Sequence, residues 1–332
     1  MAKMYLNRAM AKGVMLEMES DENVIVMGED IISSGGGMSN LIGVPEKFPD
    51  RCFDMPISEA GFCQMAVGAA MLGMKPIVDL MFADFTAVCA DALINSAPKM
   101  HMMSFGQADI SLVIVAANGG IGTYGQPGTG PSHSQCVEGW YNNVPGLKIA
   151  APYYPEDALG LMRASIRDKD PVLFLYHEGS LGLKGEVNSE EPIPLNGAGR
   201  VVREGTDVTV VAVQSMVPVA LAAAEELAEE GVSVEVVDPR VLVPFDKETM
   251  KASVRKTGRL VITHEAPVRG GIGGEIAAVA AEECFADLKA PVRRCAGKNA
   301  PIAPGNLEYY LVPHAEDIRA AVMETLEGSV KM

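Results

Sequence analysis

The sequence is short of positive charge, short of aromatics, and has no apolar run long enough to cross a bilayer. Its 27 lysines and arginines face 43 aspartates and glutamates, a formal net charge of −16. A general nucleic-acid-binding role, which needs a basic surface, is thereby excluded. The opening MAKMYLNRAMAKGVMLEMESDE reads as an amphipathic helix interrupted by charges, neither signal peptide nor membrane segment. Cys52, Cys63, Cys89, Cys136, Cys284 and Cys295 form no CxxC pair and show no zinc-like spacing. Most lie in apolar stretches, as reduced thiols of a cytoplasmic protein would. No two histidines have metal-ligand spacing.

What is present is an apolar chain of 332 residues, 48% hydrophobic, long enough for two domains. Strand-like runs fall at Val24–Gly28, Pro76–Met81, Ser111–Ala117, Leu147–Pro152 and Pro171–His177. Helix-like runs at Gly61–Leu72, Asp84–Asn95 and Pro155–Asp168 separate them. Strands this apolar, alternating with helices, predict an α/β fold with a parallel sheet buried on both faces. A polar, glycine-bearing stretch from about Glu178 to Arg200 has neither period and predicts a linker. The rhythm then resumes with strands at Asp207–Gln214, Ser233–Pro239, Arg259–Glu265 and Pro291–Gly297. The expected organisation is two doubly wound α/β domains, residues 1–185 and 201–332, joined by a linker at 186–200.

The glycine-dense loop Asn118–Gln135 contains Gly120-Ile121-Gly122-Thr123-Tyr124-Gly125, which fits GxGxxG. Pro127 and Pro131 prevent a helix from starting inside it, which argues against a dinucleotide site and for a wide loop at a strand's C-terminal end. His133, near the end of that loop, is either a proton-transfer group or an exposed loop histidine. Glu59 stands before the uncharged run Gly61–Leu72. A carboxylate there is either a partner of the helix N-terminus or a buried acid able to exchange a proton with a bound base. Met81-Phe82-Ala83-Asp84-Phe85 ends an apolar strand beside an aromatic, where core packing and a ligand wall both fit. Gly270–Glu275 opens a helix after a strand, and suits an anion or close packing. The loop Ser33–Asn40, SSGGGMSN, could line a cleft but has no phosphate-loop lysine.

In order and spacing, MGEDI, DMPISEAGF, LMFADF, SHSQC, PGLKIAAP, PEDALGLMRASIRDKDP and KTGRLVITHEA followed by GGIGGEIAA resemble the β subunit of the 2-oxo acid dehydrogenase E1 component. That family includes the pyruvate, branched-chain and acetoin dehydrogenases. The resemblance covers nearly the whole chain, and LMFADFTAVCADALIN looks closest to the acetoin branch. It implies a thiamine pyrimidine-binding domain, a transketolase C-terminal-like domain, and thiamine diphosphate shared with an α subunit. By this resemblance Glu59 hydrogen-bonds the pyrimidine N1′ and promotes loss of the thiazolium C2 proton. Phe85 stacks on the pyrimidine, Met81 and Ile57 line its pocket, and His133 serves proton or acyl transfer. Family members also bind K⁺ through main-chain oxygens, at positions matching Leu112, Ser165, Ile166, Asp168 and Asp170.

Thiamine enzymes hold the diphosphate through Mg²⁺ with a GDG motif, and Gly28-Glu29-Asp30 is not one. In the family that motif lies in the α subunit. The resemblance therefore implies an α2β2 assembly, Mg²⁺ held by α, and an acyl group from a small 2-oxo acid or acetoin passed to a lipoyl acyltransferase, E2. Departures are Val115, where relatives often have Arg, the uncharged loop TYGQPGTGPS, and Pro98, expected to break the helix at NSAPK. Two other readings are a split transketolase half, for which this loop lacks basic residues, and a non-catalytic scaffold, which would not need Glu59.

Overall fold

The computed structural model describes residues 2–120 and 129–328. The chain forms two compact units, residues 1–118 with 141–195 and residues 119–140 with 196–332.

The first unit opens with β1 (Ala2–Tyr5) and α1 (Leu6–Ser20). Then come β2 (Val24–Gly28), α2 (Ile31–Ser34), α3 (Val44–Lys47), β3 (Cys52–Asp54), α4 (Glu59–Met71) and β4 (Lys75–Phe82). After these run α5 (Ala97–Met103) and β5 (Val113–Asn118); a single turn α6 (Glu138–Tyr141), most of it in the second unit, precedes β6 (Lys148–Ala150), α7 (Pro155–Arg167), β7 (Val172–His177) and β8 (Lys184–Val187). Its sheet is parallel in the order β6-β7-β5-β4-β2-β3. Every residue of β2, β5 and β7 is buried, as their continuous apolar runs require.

Helices α1 and α7 pack closely. Gly13 of α1 meets the Leu159 carbonyl and Met162. Glu17, only 3% exposed, accepts from Nε of Arg163 and of Arg167, each at 2.7 Å. A carboxylate that deep is tolerated because both of its oxygens meet a cation.

Three expectations change here. The first residues are a strand before the helix: β1 pairs antiparallel with β8, Ala2 opposite Val187 and Tyr5 opposite Lys184. The stretch expected to be an irregular linker therefore holds β8, whose polar KGEV gave no apolar signal. Pro98 does not break its helix: residues Ala92–Ser96 form a wide π turn, and Pro98 falls in the first turn of α5, where no N–H is needed.

The second unit contains β9 (Arg200–Arg203), β10 (Val208–Ala212), α8 (Met216–Glu229), β11 (Val234–Asp238), β12 (Val241–Val243) and α9 (Lys247–Thr257). It ends with β13 (Leu260–Pro267), α10 (Gly273–Glu283), β14 (Arg293–Gly297) and α11 (Ala315–Glu327). Its sheet has the order β14-β13-β10-β11-β9, with β9 antiparallel and the rest parallel. Residues 119–140 belong with this unit for a local reason. The buried Glu265 accepts the Gly120 N–H at 2.7 Å and the Ser215 hydroxyl at 2.6 Å. A cavity of about 80 Å³ is lined by Ser134, Gln135, Trp140, Glu265 and Pro301 among others.

His264 is fully buried, its ring against the chain entering α10, where side chains at Gly271 or Gly273 would collide with it. Close packing is what those glycines allow. Burial, aided by the Arg294 charge, pushes the imidazole pKa down to about 4. The folded value lies below the ordinary 6.5, so this group's contribution to stability is complete above pH 6.5 and declines as pH falls toward 4. Wild type should lose roughly 3 kcal/mol more than His264→Gln between those limits. Calorimetric melting across that range checks this, and parallel curves for the two proteins contradict it.

Candidate functional site

Strands β2, β3 and β4 are neighbours, with Gly28 opposite both Asp54 and Asp79. Their C-terminal ends therefore share one edge, the edge where open α/β sheets gather ligand groups. Glu29 follows β2, Ile57 and Glu59 follow β3, and Met81 and Phe85 lie at and after the end of β4.

The chain leaves β3 in a short turn, with the Met55 N–H on the Gly28 carbonyl at 2.8 Å, and enters α4 at Glu59. Gly61 and Phe62 both donate main-chain N–H bonds to the Ser58 carbonyl, which closes the first turn. Glu59 is thus the first residue of the helix, where its charge also meets the positive end of the dipole. Its side chain is half-buried rather than sealed. The dry pocket expected around it is not completed by this chain's own residues. Glu29 shares the spot: burial, then the nearby Glu59 charge and that of Asp30, raise its carboxyl above the usual range.

Ile57 is 84% exposed beside Glu59, an apolar side chain aimed at nothing within its own unit. Phe85 is half-buried and meets Phe82 edge to face, ring centroids 5.6 Å apart. Met81 has a left-handed backbone, φ +63°, which is uncommon for a residue other than glycine. The structure thus gathers Ile57, Glu59, Met81 and Phe85 on one sheet edge. This set of an acid, an aromatic and two apolar side chains fits the neutral pyrimidine end of thiamine diphosphate. Its charged neighbours Glu29, Asp30 and Asp54 are acidic and ill suited to a diphosphate.

His133 belongs to the second unit. Its loop is closed by its own N–H on the Gly130 carbonyl at 3.2 Å and by the Thr129 hydroxyl on its carbonyl at 3.2 Å. Its Nδ1 lies 2.9 Å from the Ser132 hydroxyl. The GxGxxG stretch beyond Gly120 lies outside the described residues.

Leu112, Ser165, Ile166, Asp168 and Asp170 meet at the opposite edge of the first sheet. Leu112 accepts the Val172 N–H at 2.8 Å, and Ser165 and Ile166 lie in the last turn of α7, capped by Asp168. Lys148 donates to both Asp168 oxygens at 2.7 Å and lies 3.1 Å from Asp170. Burial opposes the charge on Lys148, but the two carboxylates outweigh it and raise its pKa. The negative end of the helix dipole and two acids make this a place where positive charge is welcome. Among the described residues no group of three or more His, Cys, Asp or Glu could hold a metal.

Sequence reasoning passed over Asp79, 3% exposed within the apolar run of β4. Burial pushes its carboxyl up to about 6, although the Met81 N–H and Asn40 pull the other way. The signal was available: a lone acid inside a run that otherwise reads as a buried strand.

Residues 2–184 match the transketolase pyrimidine-binding domain and residues 197–318 the transketolase C-terminal domain. The chain is 43% identical to the pyruvate dehydrogenase E1 component subunit β-1 of Arabidopsis thaliana, over 95% of this chain and 87% of the relative. It is 39% identical to the 2-oxoisovalerate dehydrogenase subunit β of Bacillus subtilis, over 94% and 95% of the two chains. A solved split-gene transketolase chain, described as an inactive β4 tetramer, superposes with a TM-score of 0.78 at 27% identity, covering 97% of this chain and 98% of that one. Two such domains in this order, with identities near 40% over nearly the full length, place the chain in the β-subunit family of the 2-oxo acid dehydrogenase E1 component, a family of thiamine-dependent oxidoreductases.

Proposed function

We propose that this chain supplies the pyrimidine half of a thiamine diphosphate site in an α2β2 enzyme of the cytoplasm, which cleaves a small 2-oxo acid or acetoin and passes the acyl group to lipoyl-E2. The observation that carries the reading is the half-buried Glu59 at the head of α4, its charge felt by Glu29, on the sheet edge that also holds Ile57, Met81 and Phe85. Thiamine diphosphate, when bound, supplies the nucleophilic carbon that attacks the substrate carbonyl.

Glu59 shares a proton with the pyrimidine N1′, and its charge, after burial, helps raise the carboxyl of neighbouring Glu29. Phe85 offers an aromatic face, while Ile57 and Met81 exclude water once the α subunit covers them. Mg²⁺ and the diphosphate fall to α, because this edge is acidic. His133 moves a proton at its imidazole during acyl transfer. K⁺, bound near Leu112, Ser165, Ile166, Asp168 and Asp170, would stiffen the junction of α7 with β5 and β7.

The split-transketolase reading shares the fold but has the lower identity, and it needs basic residues for a sugar phosphate. A substrate panel on the co-expressed α and β chains separates the two, with an artificial electron acceptor as readout and ketol transfer scored in parallel. Turnover of pyruvate, a branched-chain 2-oxo acid or acetoin is expected. Ketol transfer between sugar phosphates with no 2-oxo acid or acetoin turnover overturns the reading.

A further inference from the structure

Strand β4 is irregular where it reaches the site. Its register against β5 slips between Asp79, opposite Val115, and Phe82, opposite Ala117, so three steps on β4 match two on β5. That is a bulge, and a bulged residue has no ladder partner for its N–H. Met81 occupies the bulge with φ +63°. A methionine in that conformation is strained, and strain persists only where the surroundings hold it.

Two features do so. The Asp79 carboxyl, buried to 3% exposure, accepts the Met81 N–H through Oδ1 at 3.1 Å. Above it lies the SSGGG loop, the motif that no phosphate explains. A side chain at Gly36, itself at φ +86°, would overlap Asp79 Oδ2 and crowd Asn40 Oδ1. A side chain at Gly37 would overlap the Met81 thioether. The glycines let the loop close down on Asp79 and Met81 together. Asp79 Oδ2 lies under Gly36 beside the Asn40 side chain, whose hydrogen bond ties the carboxyl to the same loop.

We propose that Asp79 is a positioning residue for the cofactor: it fixes the β4 bulge under the glycine loop and so aims Met81 at the pyrimidine. This rests on the reading that Met81 lines the pyrimidine pocket. Asp79 touches neither cofactor nor substrate. An apolar strand-former in its place removes the buried acceptor of the Met81 N–H, so the bulge relaxes while the core gains apolar contact.

The test uses the α–β assembly with Asp79→Val and Asp79→Asn. For Asp79→Val, the Kd for thiamine diphosphate by calorimetry and its KM should rise at least tenfold, with kcat at saturating cofactor within threefold of wild type and a melting temperature no lower. Asp79→Asn keeps the acceptor and should bind within threefold of wild type. Amide exchange in both wild type and Asp79→Asn should show the Met81 N–H protected. Wild-type affinity in Asp79→Val, equal losses in both variants, or rapid exchange of the Met81 amide in wild type overturns the inference. If Asp79→Val does not fold, the exchange measurement decides. Glu59→Gln in the same assembly keeps the two ideas apart: if it stays active, the pyrimidine reading fails, whereas if it is inactive and Asp79→Val binds normally, only the positioning role fails.

Discussion

Assembled with its α subunit, Glu59→Gln should lose at least about 100-fold in turnover while the complex still forms. Glutamine keeps the shape and can still hydrogen-bond to a ring nitrogen, but it cannot give or take a proton. General acid–base catalysis contributes about 10²- to 10⁴-fold, so removing the exchangeable proton should cost within that range. The fold should tolerate the change. Glu59 is half-buried at the first position of α4. Losing its charge there costs about 0.3–1 kcal/mol of helix-dipole interaction, and relief of its repulsion with Glu29 offsets part of that. The Glu29 carboxyl should also titrate at lower pH in the variant, because one of the causes holding it up is gone. Steady-state kinetics with size-exclusion chromatography measures both halves of the prediction. Activity within a factor of a few of wild type contradicts the proton-sharing role.

Much of this was legible in the sequence, and the reasons for the exceptions are physical. Strands β2, β5 and β7 are buried along their whole length, so their apolar runs announced them. Helix α7 fell where its amphipathic period placed it. The ribbon of β1 with β8 escaped because it joins segments about 180 residues apart, and β8 is mostly polar. Periodicity reports burial of one face, and a short solvated strand has little. Residues 119–140 group with the second unit, and the Glu265 carboxylate that accepts the Gly120 N–H lies far along the chain. Glu59 could be singled out because an acid abutting an uncharged helix is anomalous. The left-handed turn at Met81 could not, since nothing in a methionine signals positive φ. Asp79, the group that holds it, was visible only as one charge within an apolar strand.

The second large effect concerns the partner. Thiamine diphosphate has a neutral pyrimidine and a strongly anionic tail, and this chain's edge suits only the first. Around Glu59 lie Glu29, Asp30 and Asp54, in a chain of net charge −16. Like charges at close range repel, and at this half-exposed edge the penalty is screened but not removed. Pyrimidine contacts alone leave the diphosphate unmatched, and Ile57 at 84% exposure shows that even the apolar wall is unfinished. The affinity of the α–β assembly should exceed that of the isolated chain by at least about 1,000-fold, roughly 4 kcal/mol.

Isothermal titration of thiamine diphosphate with Mg²⁺ into the isolated chain, and then into the chain mixed with its α subunit, puts that division of labour directly on a scale. Heat should appear only in the mixture, and Glu59→Gln should weaken it. Tight, Mg²⁺-dependent binding to the isolated chain would mean that one polypeptide grips both ends of the cofactor, and the half-site account would be wrong.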